Sequence, residues 1–474
     1  MNKGSKILTL FLVSLLVSSS VVPLEARKHH HNKKSKHQKQ RGGGKGSGSS
    51  PAPAPLPDYN QTQSTIFNIL SFGAKGNGVF DDSKALIAAW KAACKIPGAT
   101  LQIPSDYKFL IKPITLNGPC MPQLVLQQID GDVLAPPKVS SWSKSSLFQW
   151  LNFKWLHNFT IGGCGTVDGQ GFNWWTVSTL YNNKKKGKHI PDMKPTALRF
   201  YSSYNVTVRD ITIRNSPQCH LKFDNSGTVK VNNITISSPE SSPNTDGIHL
   251  QNTQDVEIQH SNIGCGDDCV SIQTGCSNIH IHHITCGPGH GISTRGLFLA
   301  YNYSLGGLGK DKSVACVSNI VVENISIQNT LSGVRIKTWQ GGVGSVKNVS
   351  FSNIQVSDVK VPIMIDQYYC DKYRCKNQTG AVAISGIKYD QIIGSYTVQP
   401  IHLACSSQIP CIDVDLIGIQ LNPSSGSRGF QSALCWNSYG KSQAPLVPSS
   451  IDYCLRRGSG AVRRIARSHD HACY

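Results

Sequence analysis

A short segment recurs along this chain at nearly regular intervals. Sequences of the form Asn-(Ile/Val)-x-(Ile/Val/Phe), or close variants, begin at Asn158, Asn205, Thr228, Asp255, Asn278, Asn319 and Asn348, with steps that include 23, 27 and 23 residues. Runs such as Val206 to Ile213 and Ile279-His-Ile-His-His-Ile284 place apolar residues at every second position, with Gly, Asn, Asp, Ser and Pro in the gaps. This is strand periodicity, not helix periodicity. Units of about 20–30 residues that cannot bury an apolar face alone, but can when stacked, indicate a solenoid. The expected fold is all-β, a parallel β-helix of roughly ten coils; a propeller needs blades of about 40–50 residues.

The same period orders the polar residues. Asn244-Thr245-Asp246, Gly266-Asp267-Asp268 and Gly289-His290-Gly291 set Asp246, Asp268 and His290 at intervals of 22 residues, and Arg335-Ile336-Lys337 follows. Equivalent residues on neighbouring coils lie about 4.8 Å apart, so these side chains should span about 10 Å along one outer face. Asp267 and Asp268 would point to opposite faces of a regular strand, but Gly266 permits an irregularity that turns both outward. In such a crowd one carboxylate is expected to stay protonated as a donor while its neighbours serve as bases.

The ends of the chain have a different composition. Lys3 and Lys6 precede a mostly apolar run from Ile7 to Val22 and then Ala26, which reads as a secretory signal over residues 1–26, too short for a membrane span. No second long apolar stretch follows. Residues 27–50 hold eight Lys/Arg and no acid, and a proline-rich run continues from Pro51 to Pro57. Residues 27–58 are therefore expected to form a disordered basic linker, residues 59–455 the solenoid and residues 456–474 a basic tail to which no function is assigned. His29, His30 and His31 are read as part of the solvated linker. Formal net charge is +20, and beyond residue 50 there remain 37 Lys/Arg against 26 Asp/Glu. The partner for this charge in a secreted chain is an acidic polysaccharide rather than nucleic acid, and a monomer is expected.

Sixteen cysteines behind a signal sequence predict several disulfides. CxxC pairs with zinc spacing are absent. Cys269 and Cys286 flank the acidic cluster one coil apart and are the expected bond at the site. Eight N-x-S/T sequons, at Asn60, Asn158, Asn205, Asn233, Asn302, Asn324, Asn348 and Asn377, fit secretion. Those inside the strand repeats read equally as an asparagine ladder in the turns, so only some are expected to carry glycan.

Ser242-Pro-Asn-Thr-Asp-Gly-Ile-His249, Cys265-Gly-Asp-Asp-Cys-Val-Ser-Ile272, Cys286-Gly-Pro-Gly-His-Gly-Ile-Ser293 and Arg335-Ile-Lys-Thr-Trp-Gln-Gly341, in that order, resemble the four signature motifs of the polygalacturonases. These are pectin-hydrolysing glycosidases of the right-handed parallel β-helix superfamily. Phe67 to Ala74 with Gly78 and Asp81-Asp82 is similar to the family's opening coil, and Gly165 to Trp175 to its aromatic-rich turn. The resemblance spans Phe67 to Tyr453. It implies Asp267 as the general acid, Asp246 and Asp268 as the pair that activates water, and hence inversion. His290 would hydrogen-bond near the acid, Arg335 and Lys337 would hold the substrate carboxylate, and Tyr369, beside Tyr368, resembles a subsite tyrosine. Asn244 joins the substrate-binding group through its motif. No metal or cofactor is implied. Asp168 is read as a turn residue, and Trp174 and Trp175 as either packing or a sugar platform.

One segment departs from the family pattern. From Thr294 to Leu305 the chain carries an excess of roughly ten residues directly after His290, expected to bulge as a loop and to replace the strand beside the histidine. Two other readings are carried: calcium-assisted β-elimination of pectate with an arginine base, which uses the same β-helix on the same polymer, and, because of the insertion, a catalytically impaired wall-binding protein. Endo or exo action cannot be read from these residues.

Overall fold

The alternating runs pair in parallel with the corresponding run of the next coil: Val206 lies opposite Val229, Val229 opposite Val256, and Val256 opposite Ile279. The structure is a computed structural model that describes residues 65–121, 125–126, 129–142, 148–180, 194–294, 307–370, 378–426, 432–457 and 470–473. The expected signal sequence and linker, and residues 295–305 of the expected insertion, lie outside the described residues, as do residues 458–469 of the basic tail. Strand pairings among the described residues are parallel and build a 19-stranded and an 11-stranded sheet. The all-β solenoid is thus the observed architecture, with two α-helices among the described residues, Ser83–Ala93 and Phe172–Leu180.

The repeat seen in the sequence has a backbone cause. All seven residues that open a repeat, Asn158, Asn205, Thr228, Asp255, Asn278, Asn319 and Asn348, have φ between 52 and 58°. Asn and Asp tolerate this left-handed conformation better than other non-glycine residues, whereas Thr228, being β-branched, adopts it at a cost. Their side chains then stack: the amide of Asn205 donates to Asn158 at 2.6 Å, Asn319 to Asn278 at 3.1 Å and Asn348 to Asn319 at 2.7 Å. The asparagine-ladder reading therefore holds at the sequons Asn158, Asn205 and Asn348.

Inward positions stack equally well. Phe153, Phe200 and Phe223 occupy one column on three coils, with ring centroids 5.0 and 5.1 Å apart and near-parallel planes. Each is fully buried, which stabilises the fold by about 1.5–3 kcal/mol per side chain. Helix Ser83–Ala93 turns Ala85, Leu86, Ala89, Trp90 and Ala93 toward the first coils, where Trp90 packs on Phe153 and Phe159 and donates to the Asn117 carbonyl at 3.1 Å. A terminal element of this kind covers the open end of a stacked core. In helix Phe172–Leu180, Trp174 and Trp175 are buried; Trp174 packs edge-on against Trp142, and Trp175 donates to the Ser216 carbonyl. The choice between packing and a sugar platform thus falls to packing. Asp168 ends a strand and pairs with Arg214 at 2.9 Å.

Five disulfides join described residues: Cys94–Cys120, Cys269–Cys286, Cys316–Cys473, Cys405–Cys411 and Cys435–Cys454. The bond expected from position, Cys269–Cys286, is formed. Cys316–Cys473 returns the end of the C-terminal tail to the strand Val314–Gln328. No helix among the described residues is long and apolar enough to cross a membrane.

Candidate active site

The 22-residue spacing becomes a stack. Ile248, Val270, Ile292 and Val334 are register partners on four successive strands of the 11-stranded sheet. Asp246, Asp268 and His290 each stand two residues before one of these partners, so they share one edge of the sheet on adjacent coils. Backbone bonds lock the arrangement: Gly247 N–H donates to the Asp268 carbonyl at 2.9 Å and His290 N–H to the Asp267 carbonyl at 2.7 Å.

Asp267 and Asp268 lie in a bend before strand Val270–Ile272, not within it. The expected irregularity at Gly266 arises from a close approach: a Cβ there would stand 1.8 Å from the Ser242 carbonyl oxygen. Thr245 Oγ1 accepts from Gly266 N–H at 2.9 Å, and Asp267 Oδ1 accepts from Asp268 N–H at 2.9 Å. Glycine is equally required at Gly291, with φ 84° and the Ser332 and Gly333 carbonyls both 2.1 Å from any added Cβ. The disulfide Cys269–Cys286 ties the residue after Asp268 to the next coil.

Each acid has a different partner. Asp267 Oδ1 is 2.8 Å from His290 Nδ1, on a ring one-third exposed. Asp268 has no exposed surface, and its Oδ1 accepts from Arg335 Nη2 at 2.7 Å. Asp246, 1% exposed, has Oδ2 3.1 Å from His249 Nδ1. Arg335 stands two strands beyond Asp268 in the sheet, about 9–10 Å away along the ladder, and its extended guanidinium spans that gap past Ser293. Lys337 follows on the same face of strand Ser332–Trp339, with its ammonium 4.1 Å from the centroid of the Tyr369 ring. Tyr368 turns elsewhere, toward the Cys405 carbonyl, so Tyr369 is the tyrosine beside the cations. Asn244 is exposed in the turn before Asp246 with φ 58°, at the rim of the group.

The strand expected to be lost to the insertion is present. Ile292–Thr294 pairs in register with Val270–Ile272 and Val334–Ile336, so the extra residues begin after it and the scaffold on both sides of His290 is intact. This corrects the expectation: the coil keeps its register because Ile292, Ser293 and Thr294 pair with strands on both sides, and Ser332 Oγ donates to the His290 carbonyl.

Several residues at the site carried no separate signal. His249 lies within the Ser242–His249 motif without an assigned role. His220 is fully buried, with its two ring nitrogens 2.8 Å from the Asp246 carbonyl and 2.7 Å from Ser238 Oγ, and burial pushes its pKa down to about 4. Asp366 is the register partner of Lys337; burial pushes its carboxyl above the usual range, against the pull of the Tyr368 N–H, His402, Lys337 and Arg335. Donor atoms of Asp267, Asp268 and His290 lie within 4.8 Å of one another, a spacing compatible with a cation. The Asp267–His290 and Asp268–Arg335 bonds already engage an atom of each. Together with Asp246, the site thus holds three carboxylates in different settings beside Arg335 and Lys337.

Known proteins match this chain in sequence and in fold. The sequence signature described as glycosyl hydrolases family 28 matches residues 94–439. A probable polygalacturonase of Arabidopsis thaliana is 39% identical over 81% of this chain and 83% of its own length. A polygalacturonase of Cryptomeria japonica is 38% identical over 86% of this chain and 75% of its own length. Among solved structures, a polygalacturonase from Erwinia carotovora superposes with a TM-score of 0.61 at 20% identity, covering 82% of this chain and all of that one, which establishes likeness of fold as a parallel β-helix. The chain belongs to glycosyl hydrolases family 28 and is a glycoside hydrolase.

Proposed function

We propose that the chain is a secreted polygalacturonase that hydrolyses α-1,4-galacturonosyl linkages of de-esterified pectin with inversion. The observation that carries this reading is the stack of Asp246, Asp268 and His290, with Asp267 turned to His290 and Arg335 and Lys337 along the next strands. The relatives named polygalacturonase support the substrate.

In this reading Asp267 protonates the leaving glycosidic oxygen while the Asp246 and Asp268 carboxylates direct a water to the opposite face of the sugar. His290, bonded to Asp267 through Nδ1, orients that carboxyl and assists its reprotonation. Every galacturonosyl unit carries a carboxylate, which calls for a cation at the subsite. Arg335, anchored through Nη2 on Asp268 and Nε on Ser293, supplies a fixed positive charge for the substrate carboxylate, and Lys337 supplies a point charge over Tyr369. Residues 1–26 act as the export signal and residues 27–58 as a basic tether to acidic wall polymer. The disulfides are consistent with an oxidising destination.

The test is the product profile on defined oligogalacturonides. New reducing ends in the presence of chelator, inverted anomers seen by NMR before mutarotation, and loss of about 10²–10⁴-fold in kcat for Asp267→Asn are expected. An unsaturated product would identify calcium-assisted elimination instead. Binding to pectate without new reducing ends would identify a wall-binding protein.

A further inference from the structure

A second cluster of titratable side chains stands on the other sheet. In the run Ile279 to Ile284 the isoleucines face the core, which turns His280 and His282 outward from strand Cys276–Cys286. Glu257, outward on strand Gln254–Gly264, is the register partner of His280, and Glu323 on strand Val314–Gln328 is the register partner of His282. His260 and His283 complete the group from the left-handed corners of their coils, at φ 49 and 54°, with their rings stacked 4.9 Å apart. Two imidazoles are thus flanked by a carboxylate on each neighbouring coil.

The donor geometry is that of a metal site. Ligand atoms of Glu257, His280 and His282 lie within 4.8 Å of one another. Two ligands on a tetrahedral ion at about 2.0–2.1 Å are roughly 3.3 Å apart, so rotation of exposed side chains suffices to close the set. Glu257 is 37% exposed and His280 43%, leaving that freedom and an open path for an ion. One ring nitrogen of each histidine already has an outer partner. His280 Nε2 is 2.8 Å from Glu323 Oε1, and His282 Nδ1 is 2.8 Å from His283 Nδ1, while His282 Nε2 faces Glu257 at 3.6 Å. A carboxylate or ring that holds the far nitrogen of a ligating histidine fixes its tautomer and aims the near one. Two imidazoles with one carboxylate suit a borderline transition ion such as Zn²⁺, Ni²⁺ or Cu²⁺, and not Ca²⁺ or Mg²⁺, which take oxygen ligands.

We propose that Glu257, His280 and His282 bind one divalent transition-metal ion on the outer face of the 19-stranded sheet, with Glu323 and His283 orienting the two rings. The ion would join adjacent coils and so stabilise the solenoid without taking part in hydrolysis.

Zn²⁺ titration by calorimetry tests this. The full chain also carries His29, His30, His31 and His37, so the reference protein is the full chain with those four changed to Gln. The reference is expected to bind Zn²⁺, and adding His280→Gln and His282→Gln to remove one bound ion per chain. Glu257→Gln, close in shape and on the surface, should weaken that site by at least about tenfold, and Glu323→Gln by about 10–100-fold. Zn²⁺ should raise the Tm of the reference and EDTA reverse it, with no such shift in the double-histidine variant, while hydrolysis of polygalacturonate stays equal in all four. Absence of Zn²⁺ binding in the reference, or unchanged stoichiometry and affinity after His280→Gln and His282→Gln, overturns the proposal. So does full affinity in Glu257→Gln.

Discussion

Replacing Arg335 should destabilise the fold as well as lower the activity. Its guanidinium is 7% exposed and bonded at 2.7 Å to a carboxylate with no solvent exposure. An exposed pair of this kind contributes about 0–1 kcal/mol, because water screens it and the side chains lose entropy. Here water is excluded on both sides, so removing the cation leaves the Asp268 carboxylate buried beside Asp246 and Asp267. Breaking a buried pair from one side costs about 3–5 kcal/mol. Arg335→Ala should therefore lose about that much in urea denaturation at neutral pH, and Asp268→Asn somewhat less, since it strands a cation that retains slight exposure. The double variant should recover part of the loss, giving a coupling of at least about 2 kcal/mol in the cycle. On short oligogalacturonides Arg335→Ala should lower kcat more than it raises KM, because the bond positions Asp268. Additive single changes, each below about 1 kcal/mol, would refute the argument and return Arg335 to a purely substrate-facing role.

Lys337→Ala, by contrast, removes a cation that stands over Tyr369; KM for polygalacturonate should rise with little change in kcat, measured from initial rates of reducing-end release. Cys269→Ala with Cys286→Ala opens a disulfide spanning 17 residues next to Asp268, which should cost about 2–4 kcal/mol in denaturation and lower kcat. The His220 pKa is lowered on folding to about 4 from 6.5, so the unfolded chain binds the extra proton first: the contribution is fully present above about pH 6.5, falls as pH drops toward 4 and is constant below. The difference is about 3 kcal/mol at 1.36 kcal/mol per unit, and His220→Gln should flatten that part of the stability profile; an unchanged slope would show that His220 does not control it.

How much of this could be read from the sequence follows from what each signal depends on. The repeat was legible because Asn and Asp at φ near +55° are a local requirement, stated by the residue itself. The acid stack was legible because parallel, in-register coils turn equal spacing in sequence into adjacency in space. Cys269–Cys286 followed from the same period, whereas Cys316–Cys473, separated by 157 residues, obeys no period and left no trace. The roles of His220 and Asp366 were hidden for another reason: each depends on a contact across coils, with the Asp246 carbonyl and with Lys337, that composition does not encode. Trp174 and Trp175 stayed ambiguous because an aromatic pair serves packing and sugar binding equally well until burial is known.

A parallel stack favours like beside like, which suits isoleucines, phenylalanines and asparagines and penalises acids. Asp246 and Asp268 occupy equivalent places on adjacent coils, about 4.8 Å apart along the ladder, and Asp267 adds a third carboxylate in the same bend. The fold tolerates this because each acid is answered separately: a buried imidazole at Asp246, a half-open one at Asp267 and a guanidinium at Asp268. Three identical groups with three different partners are not interchangeable. The carboxyl of Asp267 faces the one partner ring that opens to solvent, while that of Asp268 is locked to a buried guanidinium. The division of labour proposed for hydrolysis thus follows from the partner each acid meets: His249 from its own coil for Asp246, His290 from the next coil for Asp267, and Arg335 from two strands on for Asp268.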